Sequence, residues 1–167
     1  MKHTPILQSK LIPPIPTSTY MRRSSFIKKM KTSEHVKLSL LHSGAGYGKS
    51  SILAAYFRDT RAIYSWYSIT ESDDDILPFI THLTHSIRRV IPNFGHSIDE
   101  WETPSMYPKE EDLNRWLALF INELCEIGEP AFIIIDDFHL VDHVFHINYL
   151  MEKMIEFIPP HIHFIVA

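Results

Sequence analysis

A single cysteine, Cys125, leaves this chain unable to close a disulfide on itself and makes the cytoplasm its natural home. It falls in an amphipathic stretch and is expected to be a small packed residue. No apolar run reaches the ~18 residues of a membrane-spanning helix. Pro5, Pro13, Pro14 and Pro16 interrupt the N-terminus and exclude the apolar core of a signal peptide there. Internal repeats and low-complexity tracts are absent. Positive charge is not in excess: 16 Lys and Arg stand against 20 Asp and Glu, a net charge of −4. That balance argues against a nucleic-acid surface in this piece. With 167 residues, 45% hydrophobic and 22% charged, the chain is long enough and apolar enough for one globular domain with a real core.

What is present begins with Ser39-Leu40-Leu41-His42-Ser43-Gly44-Ala45-Gly46-Tyr47-Gly48-Lys49-Ser50-Ser51. It reads as an apolar strand, a Gly-rich turn, and Lys-Ser opening a helix, which is the layout of a phosphate-binding loop. Phosphate oxygens need several backbone N–H donors aimed at one spot, and glycine lets the backbone turn and approach closely. The helix starting near Gly48 adds its N-terminal amides and its dipole. Lys49 would reach the β- and γ-phosphates, and the Ser50 hydroxyl would ligate Mg²⁺. The pattern G-x-x-x-x-G-K-[ST] opens with glycine, whereas Ser43 stands there in this chain. The plainer reading is a Gly-rich turn that happens to precede Lys-Ser.

A second stretch bears on that choice. Ala131-Phe132-Ile133-Ile134-Ile135-Asp136-Asp137 is a continuous apolar run ending in two acids. A strand without alternation is buried on both faces, as in a parallel sheet. Acids at its C-terminal end lie where open α/β sheets bind ligands. This is the form of a Walker B strand, in which Asp136 would hold Mg²⁺ through water and Asp137 would polarise an attacking water.

The remaining segments alternate. Residues 1–20 are Pro-rich with scattered apolar points, among them Ile6, Leu7 and Leu11; proline excludes a helix and a central strand. They are either a floppy leader or an extended arm across the surface, and the apolar residues favour the arm. Short helical spacing covers 24–31, and a strand follows at 38–41. Helices are expected at 49–58, 76–90, 110–127 and 144–157, and strands at 62–69 and 161–167. In the 144–157 helix the apolar set begins with Phe145. Asp73-Asp74-Asp75 reads as an acidic helix start favoured by the dipole rather than a metal site. Residues 92–108, with Trp101 and Tyr107, form a long loop that is either functional or poorly ordered. Eleven histidines invite a zinc hypothesis, with His139, His143 and His146 at helical spacing. No cysteine lies near them and no H-E-x-x-H pattern occurs, so zinc is disfavoured. No Ser-His-Asp or Cys-His nucleophile arrangement presents itself.

Taken together these residues resemble a known family. Ser43-Gly44-Ala45-Gly46-Tyr47-Gly48-Lys49-Ser50 is similar to the S-P-A-G-Y-G-K-[ST] loop of MalT-like, LuxR-type ATP-dependent regulators, which belong to the STAND class of P-loop NTPases. Serine at the first loop position is usual there; Gly44 stands where the family mostly has proline. Ser9-Lys10-Leu11-Ile12-Pro13-Pro14 resembles the family's S-K-L-x-x-P segment. Arg23-Ser24-Ser25-Phe26 resembles an R-x-x-L segment that lies near the adenine. Trp66-Tyr67-Ser68-Ile69 resembles a W-x-S-L strand, with Thr70 where Asp is common. Ile135-Asp136-Asp137-Phe138-His139-Leu140 resembles the family's Walker B.

The resemblance implies an α/β fold, a P-loop NTPase-type parallel sheet of order 1-4-3-2 flanked by helices. It divides the chain into an N-terminal arm with a short helix, 1–36, and an NTPase core, 37–167, incomplete at its C-terminus. It implies a cytoplasmic bacterial signalling module that binds ATP or ADP with Mg²⁺, through Arg23, Gly44, Ala45, Gly46, Tyr47, Gly48, Lys49, Ser50 and Ser51. Ser50 and Asp136 would hold the metal, and Asp137 would assist a slow hydrolysis or none. In the family, nucleotide state controls self-association of the full-length protein, and DNA is bound by a C-terminal domain that this chain lacks. The chain stops at Ala167, where the family continues into a polar sensor segment, so a truncated frame or a cut piece is expected. The P-loop strand would then lie at a sheet edge. The contrasting expectation is a non-binding remnant or interaction module that keeps only the fold. A small-molecule kinase would need a lid with arginines after the central sheet, and Arg88-Arg89 read better as a solvated face.

Overall fold

A computed structural model describes residues 5–16, 24–33, 35–42, 48–99 and 108–167. Its centre is a wholly parallel sheet of four strands, β1 (Leu38–Leu40), β2 (Ile63–Ser68), β3 (Ala131–Asp136) and β4 (Ile162–Val166). The order across the sheet is β1-β4-β3-β2, as expected. Helices connect the strands: α1 (Ser24–Ser33), α2 (Lys49–Arg58), α3 (Ile76–Arg88), α4 (His96–Asp99), α5 (Glu110–Cys125) and α6 (Phe145–Phe157). This is the α/β, P-loop NTPase-type arrangement.

The apolar run of β3 is explained by its position. All six of its residues are buried, because helices cover both faces of the sheet. Successive side chains point to opposite faces. Phe132 and Ile134 join a smaller core with Leu53 and Phe57 of α2 and Met30 of α1. Ile133 and Ile135 join a larger core with Phe79 and Leu83 of α3, Phe120 of α5 and Leu150 of α6. Leu11 lies in that larger core too, on the face opposite Met30. β1 lies at the sheet edge, where Leu40 is 69% exposed.

Several expectations need correction. The Asp73-Asp74-Asp75 run is not simply an acidic helix start. Glu71–Asp73 form a 3₁₀ turn ahead of α3, and Asp73 is wholly buried while its two neighbours are exposed. Cys125 is exposed, not packed: the buried stripe of α5 is Leu113, Trp116, Leu117, Phe120 and Leu124, and Cys125 ends the helix one step round from it. Phe145 is 75% exposed at the first position of α6, outside the stripe led by Ile147. The Pro-rich arm does contain one helical turn, the 3₁₀ segment Gln8–Leu11, which fits between Pro5 and Pro13. The long loop begins as packed structure, with Phe94 and Ile98 buried and α4 inside it. There the Gly95 and Ser97 amides donate to the Glu123 carboxylate, and Gly95 takes a left-handed φ of 87°. Trp101 and Tyr107 lie outside the described residues.

Candidate functional site

β3 delivers Asp136 to the C-terminal end of the sheet, and α2 begins beside it. Gly48 is the N-cap of α2, with φ 74° and ψ 31°. A Cβ there would meet no atom within 4 Å, so the position favours glycine for its left-handed backbone and not for lack of room. Lys49 and Ser50 follow as the first two helical residues and are half-buried. The Ser50 hydroxyl donates to Asp136 Oδ1 at 2.9 Å, joining residues 86 apart in sequence.

Asp136 is 3% exposed. Burial pushes its carboxyl above the usual carboxylate range. The Ser50 hydroxyl draws it down, the neighbouring Asp137 charge pushes it up again, and the Asp137 amide and Lys49 charge draw it down. The net direction is upward: the carboxylate is under-compensated by its own protein. Its backbone carbonyl is occupied separately, accepting from the Ile69 amide at 2.9 Å. In the strand pairing Ser68 stands opposite Asp136, and its hydroxyl accepts from the Trp66 indole N–H at 2.8 Å.

Asp137 is the one described non-glycine residue with a positive φ, at 60°. Asp tolerates this region better than most residues. Here it turns the chain sharply from β3 into the 3₁₀ segment Phe138–Leu140 and leaves its own side chain half-exposed beside Asp136. Ser51 is half-buried in the first turn of α2. The structure therefore brings together Gly48, Lys49, Ser50, Ser51, Asp136 and Asp137. Arg23, Gly44, Ala45, Gly46 and Tyr47 lie outside the described residues.

Two hard oxygen donors, one of them a buried and under-compensated carboxylate, fit a small divalent cation such as Mg²⁺, which takes few protein ligands and completes its shell with water and phosphate oxygens. Among the described residues no group of three or more His, Cys, Asp or Glu side chains is placed to hold a metal. Nor is any helix among them long and apolar enough to cross a membrane.

Sequence reasoning passed over a second polar cluster near this one. The Lys10 ammonium contacts Asp73 Oδ1 and Oδ2 at 2.8 and 2.7 Å, and Ser72 Oγ at 3.1 Å. In the sequence Lys10 is part of an S-K-L-like motif and Asp73 part of an acidic run. Nothing in their spacing pairs them.

No family model matches the chain. Individual proteins do. The serine/threonine-protein kinase PknK of Mycobacterium tuberculosis, and that of Mycobacterium bovis, are 30% identical to it over 146 residues, which is 82% of this chain and 12% of each kinase. The HTH-type transcriptional regulator MalT of Yersinia enterocolitica is 29% identical over 136 residues, 81% of this chain and 15% of the regulator. The chain thus spans less than one-sixth of the length of the curated relatives it matches. Each match covers so much of the chain that the two must overlap over most of it. Over that shared stretch the chain is MalT-like, related alike to a transcriptional regulator and to a protein kinase.

Proposed function

We propose that this chain is a nucleotide-binding switch module of a MalT-like regulator, taking ATP or ADP with Mg²⁺. The observation that carries the reading is the 2.9 Å bond between Ser50 and Asp136. It joins the end of the candidate phosphate loop to the end of the candidate Walker B strand. Two motifs read separately from sequence thus meet at one point, at the end of the sheet where such folds bind ligands.

The roles follow from chemistry. The backbone amides of residues 44–49 would cradle phosphate oxygens, with the N-terminus of α2 adding its dipole. Lys49 would neutralise the β- and γ-phosphates, and Arg23 would lie near the adenine. Ser50 and Asp136 would hold Mg²⁺, which supplies charge neutralisation between the phosphates. Asp137 would orient water for a slow hydrolysis. A protein kinase and a transcriptional regulator are both similar to this stretch, which favours a module that reports on a ligand over one that performs either protein's output. Self-association, DNA binding and a cytoplasmic setting belong to this proposal as properties of a whole regulator.

The test is titration of the purified chain with a fluorescent ATP or ADP analogue, with and without Mg²⁺, beside Lys49→Ala. Loss of one charge-assisted phosphate contact is expected to weaken binding about a hundredfold, near 3 kcal/mol, with the thermal midpoint unchanged. Equal affinity in the two proteins overturns the phosphate-loop assignment.

A further inference from the structure

Lys10 is 5% exposed and Asp73 is wholly buried, yet they lie 63 residues apart, one in the N-terminal segment and one in the turn after β2. An ammonium has three donors, and here Asp73 Oδ1, Asp73 Oδ2 and Ser72 Oγ take them. The same carboxylate accepts the Thr70 amide at 2.8 Å and the Thr70 hydroxyl at 3.1 Å, closing the 70–73 turn on itself. Around this pair residues 6–11 are docked by other contacts. Leu11 is buried in the larger core, the Leu7 amide donates to His82 Nε2 at 3.3 Å, and Arg89 donates to Gln8 Oε1 at 2.9 Å.

The turn that Lys10 secures begins where β2 meets the candidate site. Ile69, the residue before Thr70, donates its amide to the Asp136 carbonyl, and the Asp136 carboxylate receives Ser50. Polar contacts joined by covalent links therefore run from the Lys10 ammonium through Asp73 to Thr70, along the 69–70 backbone to the Asp136 carbonyl, and through the Asp136 residue itself from its carbonyl to the carboxylate that receives Ser50. A buried ion pair is seldom the most stabilising way to fill a core, but it accepts one partner in one register. Here the partner is a lysine on a Pro-rich strap that apolar contacts alone would hold less specifically.

We propose that Lys10 and Asp73 are positioning residues for the nucleotide site, a latch by which the N-terminal strap sets the β2–α3 turn against Asp136. The inference rests on the nucleotide-binding reading above. Strap engagement and nucleotide binding then favour each other. Anything that lifts residues 5–16 weakens the Mg²⁺-dependent part of nucleotide affinity.

The experiment compares wild type, Lys10→Met, Asp73→Asn and the double variant Lys10→Met/Asp73→Asn. Lys10→Met keeps the length of the side chain and strands a buried carboxylate. Asp73→Asn keeps an acceptor for the Thr70 amide and strands the ammonium. The double variant strands no charge. Amide exchange at Ile69 and Thr70 is read in the nucleotide-free chain, and affinity for the fluorescent nucleotide is read with and without Mg²⁺. Each single variant is expected to exchange these amides at least about tenfold faster while α5 is unchanged. Each is expected to lose about tenfold in affinity with Mg²⁺ present and little without it. The double variant recovers most of both. If one single variant does not fold, the other carries the same expectation. Faster exchange with unchanged affinity overturns the positioning role and leaves a merely structural ion pair. Unchanged exchange overturns the latch. A folded wild type that binds no nucleotide overturns the underlying reading and the proposal with it, and the wild-type titration alone identifies that case.

Discussion

Asp136 ends β3 and Asp73 lies in the turn after the adjacent β2; the two are buried carboxylates completed in opposite ways. Asp73 faces a lysine ammonium on both oxygens, with two Thr70 donors besides. It has a cation of its own. Asp136 receives a hydroxyl from Ser50 and an amide from Asp137, and it carries the adverse charge of Asp137 beside it. Lys49 acts on it only as the weakest of these influences. A carboxylate supplied with a full cation from within the chain is finished. One given mainly neutral donors keeps a charge its own chain leaves uncompensated, which is what the proposed Mg²⁺ site requires. The two acids differ little in exposure, so burial alone does not tell them apart; the charge of the partner does.

Removing the compensated carboxylate should cost most. Asp73→Ala leaves the Lys10 ammonium buried without its counter-ion and is expected to lower the unfolding free energy by about 3 kcal/mol in urea titration. A loss below about 1 kcal/mol, the ordinary worth of an exposed pair, would mean that the two acids are not different in kind. Ser50→Ala tests the other side. It takes one donor from Asp136 and is expected to cost about 1.5 kcal/mol, the lower range for a hydrogen bond to a charged group. It should also move the carboxyl titration of Asp136 still further up, as followed by NMR. No movement would show that Ser50 does not share the burden of that charge.

The smallest effect on stability has the most telling sign. Burial raises the Asp136 carboxyl in the folded chain. A raised acid contributes stability that is fully present below its unfolded pKa and is lost as pH rises through the folded one. At neutral pH the ionised form is therefore a burden. Asp136→Asn is expected to melt higher than wild type at pH 7, with the gap closing as pH falls below the ordinary carboxylate pKa. The same variant should lose the Mg²⁺ dependence of nucleotide binding. A variant less stable than wild type at pH 7 would mean that Asp136 is already as well compensated as Asp73.

Each half of the candidate site has a local cause in the sequence. Glycine lets the backbone turn and approach a phosphate closely, and a strand buried on both faces must be apolar throughout, so the Gly-rich stretch before Lys49-Ser50 and residues 131–137 stand out separately; the structure describes the first from Gly48 onward. The Lys10–Asp73 pair has no such local cause. A lysine among prolines and an aspartate among acids both read as solvated charges. Cys125 is a different case, expected packed and found exposed, and Phe145 shows the same limit. Apolar periodicity marks which residues can be buried, but the rotation of α5 and the start of α6 against their neighbours decided which were.

The order of elements, the parallel class of the sheet and the identity of the site's charged side chains were determined by the sequence itself. Each follows from periodicity, from glycine, or from a charge at the end of an apolar run, all of which act within a few residues. Tertiary structure decided which carboxylate received a cation, which end of the strap was buried, and that Ser50 and Asp136 touch. Those are contacts across 86 and 63 residues. Their free energy arises only when water is excluded from both partners at once, and no single stretch of chain can exclude it alone.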